Sequence, residues 1–301
     1  MDIRQLQYLA ALARERHFTR AAAACNVTQP TLSGRIRQLE QELGVPVVER
    51  GQRFHDLTPE GKRVLGWALK ILENCDNLKD ELALTRGAPS GRVALGVIPS
   101  ALPTLPPLTG VVHGRFPGLG FSVASMSSEE IRQQLEEFSI DAGVTYLDNE
   151  PIDRAVVRPL YRERYRLFVR LDHPLAERRR VSWSEAAEHP LCALTPNMQN
   201  RRIVDAAFLR ADCRPTPEVE SSSIMNLCAY VRVGGLASVL PELFVGMIGD
   251  DGIRAIPLVE PTVEHTVGLV TLDRDPLPLV VEALLEAATA YRLPGELTAR
   301  L

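Results

Sequence analysis

Phe18 to Gly44 reads FTRAAAACNVTQPTLSGRIRQLEQELG, and the order of breakers and apolar residues in it decides the fold of the N-terminal part. Thr19 to Ala24 is a short alanine-rich helix whose small side chains permit close helix–helix packing. Asn26-Val27-Thr28 breaks it. Thr28 is a good N-cap for the next helix, and Pro30 falls in its first turn, where a missing N–H costs nothing. Leu32, Ile36, Leu39 and Leu43 then fall within about 60° of one another at 100° per residue, and Gly44 stops the run. Upstream, Leu6, Leu9, Ala10 and Ala13 recur at i, i+3, i+4 and i+7, one face of a first helix. Helix, short helix, tight turn and amphipathic helix make the helix-turn-helix arrangement.

The face opposite the leucine stripe carries Ser33, Pro30, Arg37, Gly34, Gln38 and Thr31, flanked by Gln29 and Arg35. Glu40 and Glu42 stay to the sides. Gln, Ser, Thr and Arg can read base edges in a major groove, and Ser, Thr and Arg also hold phosphates. A solvated polar face on a structural helix is the plain alternative. Val45 to Arg50 and Gly51 to Leu57 are two β-prone stretches around a basic, glycine-containing tip, which predicts a hairpin. As a wing it would bring Arg50, Gln52 and Arg53 to the phosphate backbone. The plain alternative is an exposed hairpin whose arginines confer solubility.

Three runs carry a resemblance to a known family: Phe18 to Ser33, Ile36 to Gly44, and Leu57-Thr58-Pro59-Glu60-Gly61. Nearly continuously over residues 3–65, the chain resembles the winged-helix head of the LysR-type transcriptional regulators. The resemblance implies that Gln29, Pro30, Thr31, Ser33 and Arg37 lie on the DNA side, with Arg50 and Arg53 in the wing. With Thr28 and Arg35 these form the candidate DNA-binding set. The sequence departs from the family at Gly34, where a large basic or polar residue is common. Arg35 can compensate from the flank.

From Thr58 to about Arg86 no proline interrupts a long helix, with Thr58 as cap, Pro59 at the first position and Glu60 in the first turn. Leu65, Ala68, Leu72, Cys75, Leu78 and Leu82 repeat near the coiled-coil period of about 3.5. We read Leu65, Ala68, Leu72, Leu78 and Leu82 as a dimer seam; core packing on the chain's own domain is the alternative. A dimer suits operator recognition because two-fold dimers read inverted repeats. The resembled family uses this segment to dimerise.

Beyond Pro89-Ser90-Gly91, a hinge-like break, apolar strands alternate with helical stretches: Gly91 to Ile98, Leu119 to Ser125, Asp141 to Tyr146, Val156 to Val169, Pro190 to Leu194, Glu218 to Ser223 and Thr266 to Leu272. This predicts α/β layers around a mainly parallel sheet. The body resembles the family's effector-binding region, itself similar to periplasmic solute-binding proteins, with two lobes that the chain crosses twice. The expected organisation is a winged helix-turn-helix over residues 1–57, a linker and dimerisation helix with hinge over 58–90, and an effector-binding domain over 91–301. Within the last, subdomain one is 91–162 and 269–301, and subdomain two is 163–268. Ligands then lie between the lobes, near strand ends and helix N-termini. Ser100, Ala101, Ser127, Ser128 and Thr145 in the first lobe, and Thr195, Asn200, Ser222 and Ser223 in the second, occupy such places. Each serine is equally readable as an N-cap. Together they favour a small polar anion such as a carboxylate, to which Arg201 and Arg202 could supply charge.

Composition fits two or more folded units. The chain has 301 residues, 45 % of them hydrophobic and 24 % charged, and a net charge of −4. Residues 1–90 hold 13 basic and 11 acidic side chains, and residues 91–301 hold 21 and 27. A mildly basic head is thus joined to an acidic body, which permits nucleic-acid binding by the head. No apolar run reaches membrane-spanning length and Met1-Asp2-Ile3-Arg4 begins no signal peptide, so a cytoplasmic protein without membrane partners is expected. The six histidines are isolated, and no HExxH, GxSxG, P-loop or GxGxxG is present, so neither a metal, a cofactor nor an enzymatic activity is expected. Cys192, Cys213 and Cys228 fall in one subdomain, and peroxide-sensing members of the family use a cysteine pair in this region, at other spacings.

The expectation is therefore a homodimeric or homotetrameric regulator. It would grip an inverted repeat in double-stranded DNA, be switched by a small-molecule effector, and act on RNA polymerase. A cysteine-based redox-sensing regulator of the same family is the alternative, and a solute-binding protein the rival from another class.

Overall fold

The computed structural model describes residues 1–49, 56–85, 91–148, 150–248 and 252–293, and the chain divides into two compact units. The first contains helices α1 (Ile3–Glu15), α2 (Phe18–Ala24), α3 (Gln29–Leu43) and α4 (Pro59–Thr85). Asp2 and Gln5 cap α1 reciprocally, each side chain accepting from the other's backbone N–H. The buried face of α1 is Gln5, Leu6, Tyr8, Leu9, Ala11 and Leu12. It is rotated from the expected stripe, with Ala10 and Ala13 half-buried at its margin. Thr28 caps α3, and Gly44 ends it at φ 72°, a left-handed conformation that a side chain would strain. Leu32, Ile36 and Leu39 are buried, whereas Leu43 on the same stripe is 38 % exposed.

Two interactions fasten the segment after α3. The Glu40 carboxylate accepts from the backbone N–H groups of Val47 (2.8 Å) and Val48 (3.1 Å). Gly61, in the first turn of α4, lies so close to Val47 that a Cβ there would sit 2.0 Å from its carbonyl oxygen. Val48 and Leu57 form an antiparallel bridge, with Glu49 N–H donating to the Asp56 carbonyl at 3.1 Å, so the hairpin stem is present. Its tip, with Arg50, Gln52 and Arg53, lies outside the described residues.

In α4 the alternative of packing on the chain's own domain applies to the first half of the expected seam. Ala68 is buried in the head's own core, and Val64, Leu65, Ile71 and Leu72 pack against it. A 3.5-residue apolar period serves intrachain packing as well as a seam between chains. Here the first half of the helix covers α1, while Trp67, Leu78 and Leu82 are more than half exposed.

The second unit is built on an eight-stranded sheet, ordered β2 (Leu119–Ser125), β1 (Gly91–Val97), β3 (Ala142–Tyr146), β10 (Glu264–Leu272), β4 (Ala155–Arg170), β9 (Ile253–Val259), β5 (Val181–Ser182), with β8 (Ser238–Pro241) also on β4. It is mixed rather than mainly parallel: β10 runs antiparallel to both β3 and β4, and β4 is antiparallel to β8 and β9. The reason is β4 itself. Its first ten residues pair with β10 and its last six with β8 and β9, so one unbroken strand belongs to both lobes and each lobe grows from it. The first crossing falls at Arg164/Tyr165. The second falls between β9 and β10, at residues 260–263, earlier than the expected break at 268/269, because Glu264 to Gly268 are already hydrogen-bonded to β4. Helices α5 (Leu105–Arg115), α6 (Ser128–Glu136) and α11 (Leu279–Thr289) belong to the first lobe. The second holds α7 (Trp183–Ala187), α8 (Gln199–Arg210), α9 (Ile224–Gly234), α10 (Phe244–Ile248) and a two-stranded sheet of β6 (Cys192–Leu194) and β7 (Val219–Ser221).

Candidate functional site

The exposed face of α3 is polar, as its wheel requires. Thr28, Gln29, Pro30, Thr31 and Arg37 are exposed and Ser33 is half-buried. The Thr28 and Thr31 hydroxyls lie 2.8 Å apart, so the helix start is internally tied. Arg37 has no hydrogen-bond or ion-pair partner among the described residues. Arg35 does: its Nη1 reaches Asp2 (3.4 Å) and the Gln38 side-chain oxygen (3.2 Å), which draws it toward the start of α1. Gly34 faces open space, with nothing within 4 Å of a Cβ built there. The face therefore offers amide, hydroxyl and guanidinium groups around an unobstructed centre.

In the second unit, the first turn of α8 is where the lobes meet. The Ser128 hydroxyl donates to the Gln199 side-chain oxygen at 2.5 Å, Asn200 Nδ2 donates to the Tyr146 hydroxyl at 2.9 Å, and Arg202 is bidentate to Glu150 at 2.7 Å. All three contacts join an α8 residue to the first lobe. Ser100, Ala101, Ser127, Ser128, Thr145 and Asn200 are buried here, and Thr195 is half-buried.

Their roles differ. The Ser100 hydroxyl lies 3.4 Å from that of Tyr146. The Ala101 N–H is committed to the Ile98 carbonyl at 2.9 Å. Ser127 shares a capping box with Glu130 at the head of α6. Ser222 and Ser223 are exposed, following Ser221, whose carbonyl accepts from Thr195 N–H at 3.2 Å, and Ser223 caps α9 through Asn226 N–H. Arg201 is a structural clamp, bonded to Asp205 (2.8 Å), Glu220 (2.7 Å) and the Leu194 carbonyl (2.8 Å).

Three polar atoms in this region are buried without a hydrogen-bond partner among the described residues: Thr145 Oγ1, Thr195 Oγ1 and Gln199 Nε2. They accompany the start of α8, which has no side-chain cap and no acidic residue in its first turn. A recess of about 280 Å³ lies on the first-lobe side, lined by first-lobe residues that include Ser128, Glu129, Arg132, Thr145 and Glu150.

Beneath lies a group the sequence reading missed. Glu163 is 1 % exposed, and the hydroxyls of Tyr146, Tyr161 (3.3 Å) and Tyr165 (3.2 Å) donate to its carboxylate. Burial pushes the Glu163 carboxyl up to about 7 and holds the three tyrosines well above their ordinary value. The signal was present in Tyr161-Arg162-Glu163-Arg164-Tyr165. On a strand, alternate residues share a face, so Tyr, Glu and Tyr point inward while both arginines, paired with Glu264, point out.

The cysteines lie elsewhere. Cys192 and Cys228 are buried in the apolar core of the second lobe, and burial raises both thiols, Cys228 to about 11. Cys213 is half-buried beyond the C-terminal end of α8. Among the described residues no group of three or more His, Cys, Asp and Glu side chains is placed to hold a metal ion, and no helix is long and apolar enough to cross a membrane.

Comparison with known proteins agrees with both halves. Residues 3–62 match the family described as "Bacterial regulatory helix-turn-helix protein, lysR family", and residues 86–292 match "LysR substrate binding domain". The chain is 33 % identical to the DNA-binding transcriptional dual regulator OxyR of Escherichia coli (strain K12), over 98 % of this chain and 97 % of that protein. It is 32 % identical to a hydrogen peroxide-inducible genes activator of Pectobacterium carotovorum subsp. carotovorum, over 92 % of each. A full-length OxyR variant from Pseudomonas aeruginosa superposes with a TM-score of 0.76 at 27 % identity, covering 96 % of this chain and 94 % of the other. Both matched domains, in this order and over nearly the whole length, place the chain in the LysR-type transcriptional regulators, a family of DNA-binding regulators rather than enzymes.

Proposed function

We propose that this regulator is switched by a small polar anion held between the lobes of its body, at the first turn of α8. One observation carries the reading: Thr145 Oγ1, Thr195 Oγ1 and Gln199 Nε2 are buried donors without a partner among the described residues, beside an uncapped helix N-terminus. Burying a polar group without a hydrogen bond costs about 1–3 kcal/mol, and an anion accepting from these groups and from the helix start removes that cost. Anion binding between the lobes would shift their geometry and, through a dimer or tetramer, the spacing of two heads on an inverted repeat, altering access of RNA polymerase.

A thermal-shift screen of the full chain against small organic and inorganic anions tests this. A binder of the native state raises the melting temperature, and Gln199→Leu with Thr145→Val abolishes the shift. A binder whose effect survives that double substitution overturns the site.

Peroxide sensing is the second reading, favoured by the names of the relatives at 32–33 % identity. Against it, Cys192 and Cys228 are buried thiols held in the protonated form, whereas peroxide reacts with an exposed thiolate. Intact mass after mild peroxide decides: a loss of about two daltons, one disulfide formed with two thiols oxidised, supports this second reading.

A further inference from the structure

We propose that closure of the interlobe cleft is linked to release of a proton from Glu163, so that the regulator's switching equilibrium responds to pH. The inference rests on the cleft being the effector site, but the linkage exists without any effector.

The argument is one of hydrogen-bond direction. Asn200 Nδ2, on the second lobe, donates to the Tyr146 oxygen at 2.9 Å, and the Tyr146 hydroxyl donates to Glu163 Oε1. Tyr165 and Tyr161 donate to the same carboxylate at 3.2 and 3.3 Å. Every donor in this chain points toward Glu163, which suits a carboxylate that only accepts. Adding a proton reverses one link. The new O–H needs an acceptor, and the oxygens within reach are those of the three tyrosines and of Ser100. Tyr146 is the closest to the carboxylate. If its oxygen accepts from Glu163, its own proton must turn toward Ser100 or Tyr165, and the lone pair that held Asn200 is contested. The interlobe bond is therefore weakened in the protonated state. By reciprocity, closing the lobes favours ionisation.

The position makes the linkage consequential. Glu163 lies two residues before β4 passes into the second lobe at Tyr165, so the proton sits at the hinge. Its carboxyl is pushed up to about 7 by burial, within reach of neutral pH. The other titratable groups around it are distinguishable. Tyr146, Tyr161 and Tyr165 stay protonated at neutral pH. Tyr291, which follows α11, donates to the Thr104 carbonyl at 3.0 Å and is raised too. His265 on β10 stands edge-on to Tyr146, ring centres 6.1 Å apart, and its Nδ1 is 3.1 Å from Asp148, whose carboxyl is held below its ordinary value.

Infrared difference spectroscopy of the full chain, without effector, tests the linkage. The protonated-carboxyl band of one buried group should titrate across neutral pH and vanish in Glu163→Gln, while His265 contributes nothing to that band. Among the described residues the Asn200 amide hydrogen-bonds only to Tyr146, and Asn200→Ala should move the midpoint upward by about half a unit to one unit, the size of one lost hydrogen bond. A midpoint unchanged in Asn200→Ala, or the absence of any carboxyl titrating across neutrality, overturns the proposal. If Glu163→Gln does not fold, the Asn200→Ala comparison still decides. Loss of the anion effect with this midpoint shift intact would count against the proposed effector and leave the proton linkage standing.

Discussion

Glu163 shows how burial turns an ordinary acid into a determinant of stability. In an unfolded chain its carboxyl titrates near 4.5, and in the native state near 7. Between these values the native state binds the extra proton, so stability is greatest below the unfolded value and falls as pH rises through the folded one. The shift corresponds to about 3 kcal/mol lost across that window. Denaturant unfolding at acid and at neutral-to-alkaline pH should show this loss in the wild type, and Glu163→Gln should flatten the slope by a similar amount. An equal slope in both proteins would remove Glu163 as its source. The effect is separate from cleft closure. Global stability records the cost of burying the anion, whereas closure records which way the hydrogen bonds run once it is buried. At this scale the sequence was legible where local rules act alone: Thr28 as cap, Gly44 as stop, Ser127 and Ser223 at helix starts. Glu163 was not, because a carboxylate between two arginines on a strand reads as surface until the flanking tyrosines are seen to share its face.

At the scale of elements, periodicity identified the head helices and the first-lobe strands but missed α7, α8, α10, β5 and β9, and it did not say what each element faces. The long helix α4 is the clear case. Leu65, Ala68 and Leu72 continue one apolar stripe into Leu78 and Leu82, yet the first three cover the head's own core while Leu78 and Leu82 are exposed. A sequence stripe says that something is covered; only the fold says whether the cover belongs to the same chain. The two halves should therefore respond differently to charge. Leu72→Asp should destabilise the head by about 1–2 kcal/mol, less than the range for a fully buried leucine because Leu72 is only partly buried, and be visible as an early unfolding transition. Leu78→Asp should leave the head's circular dichroism and melting unchanged but lower the sedimentation coefficient if the exposed stripe pairs with a second chain. A Leu78→Asp protein that sediments as the wild type would assign the oligomer contact elsewhere. Strand β4 teaches a related lesson. Its alternation was visible, but its membership in both lobes was not, since partner strands nearly 100 residues away decide it.

For the whole molecule, the net charge of −4 hides a head and linker at +2 and a body at −6. Even the head is only weakly cationic, and Arg35 is partly engaged by Asp2. One head can neutralise few phosphates, so nonspecific affinity should be low and tight binding should come from two heads held at a fixed spacing. The acidic body reinforces this by repelling DNA that the heads do not grip. The consequence is measurable with the full chain on an inverted-repeat operator and on a fragment carrying one half-site. On the full operator, log affinity should fall with log salt at a slope set by phosphates contacted from both heads, about 0.9 per contact. On the half-site that slope should drop by about half, with affinity reduced by about a hundredfold or more. Equal slopes on both fragments would mean that only one head engages DNA, and the distribution of charge would then need another explanation than paired, geometrically gated binding.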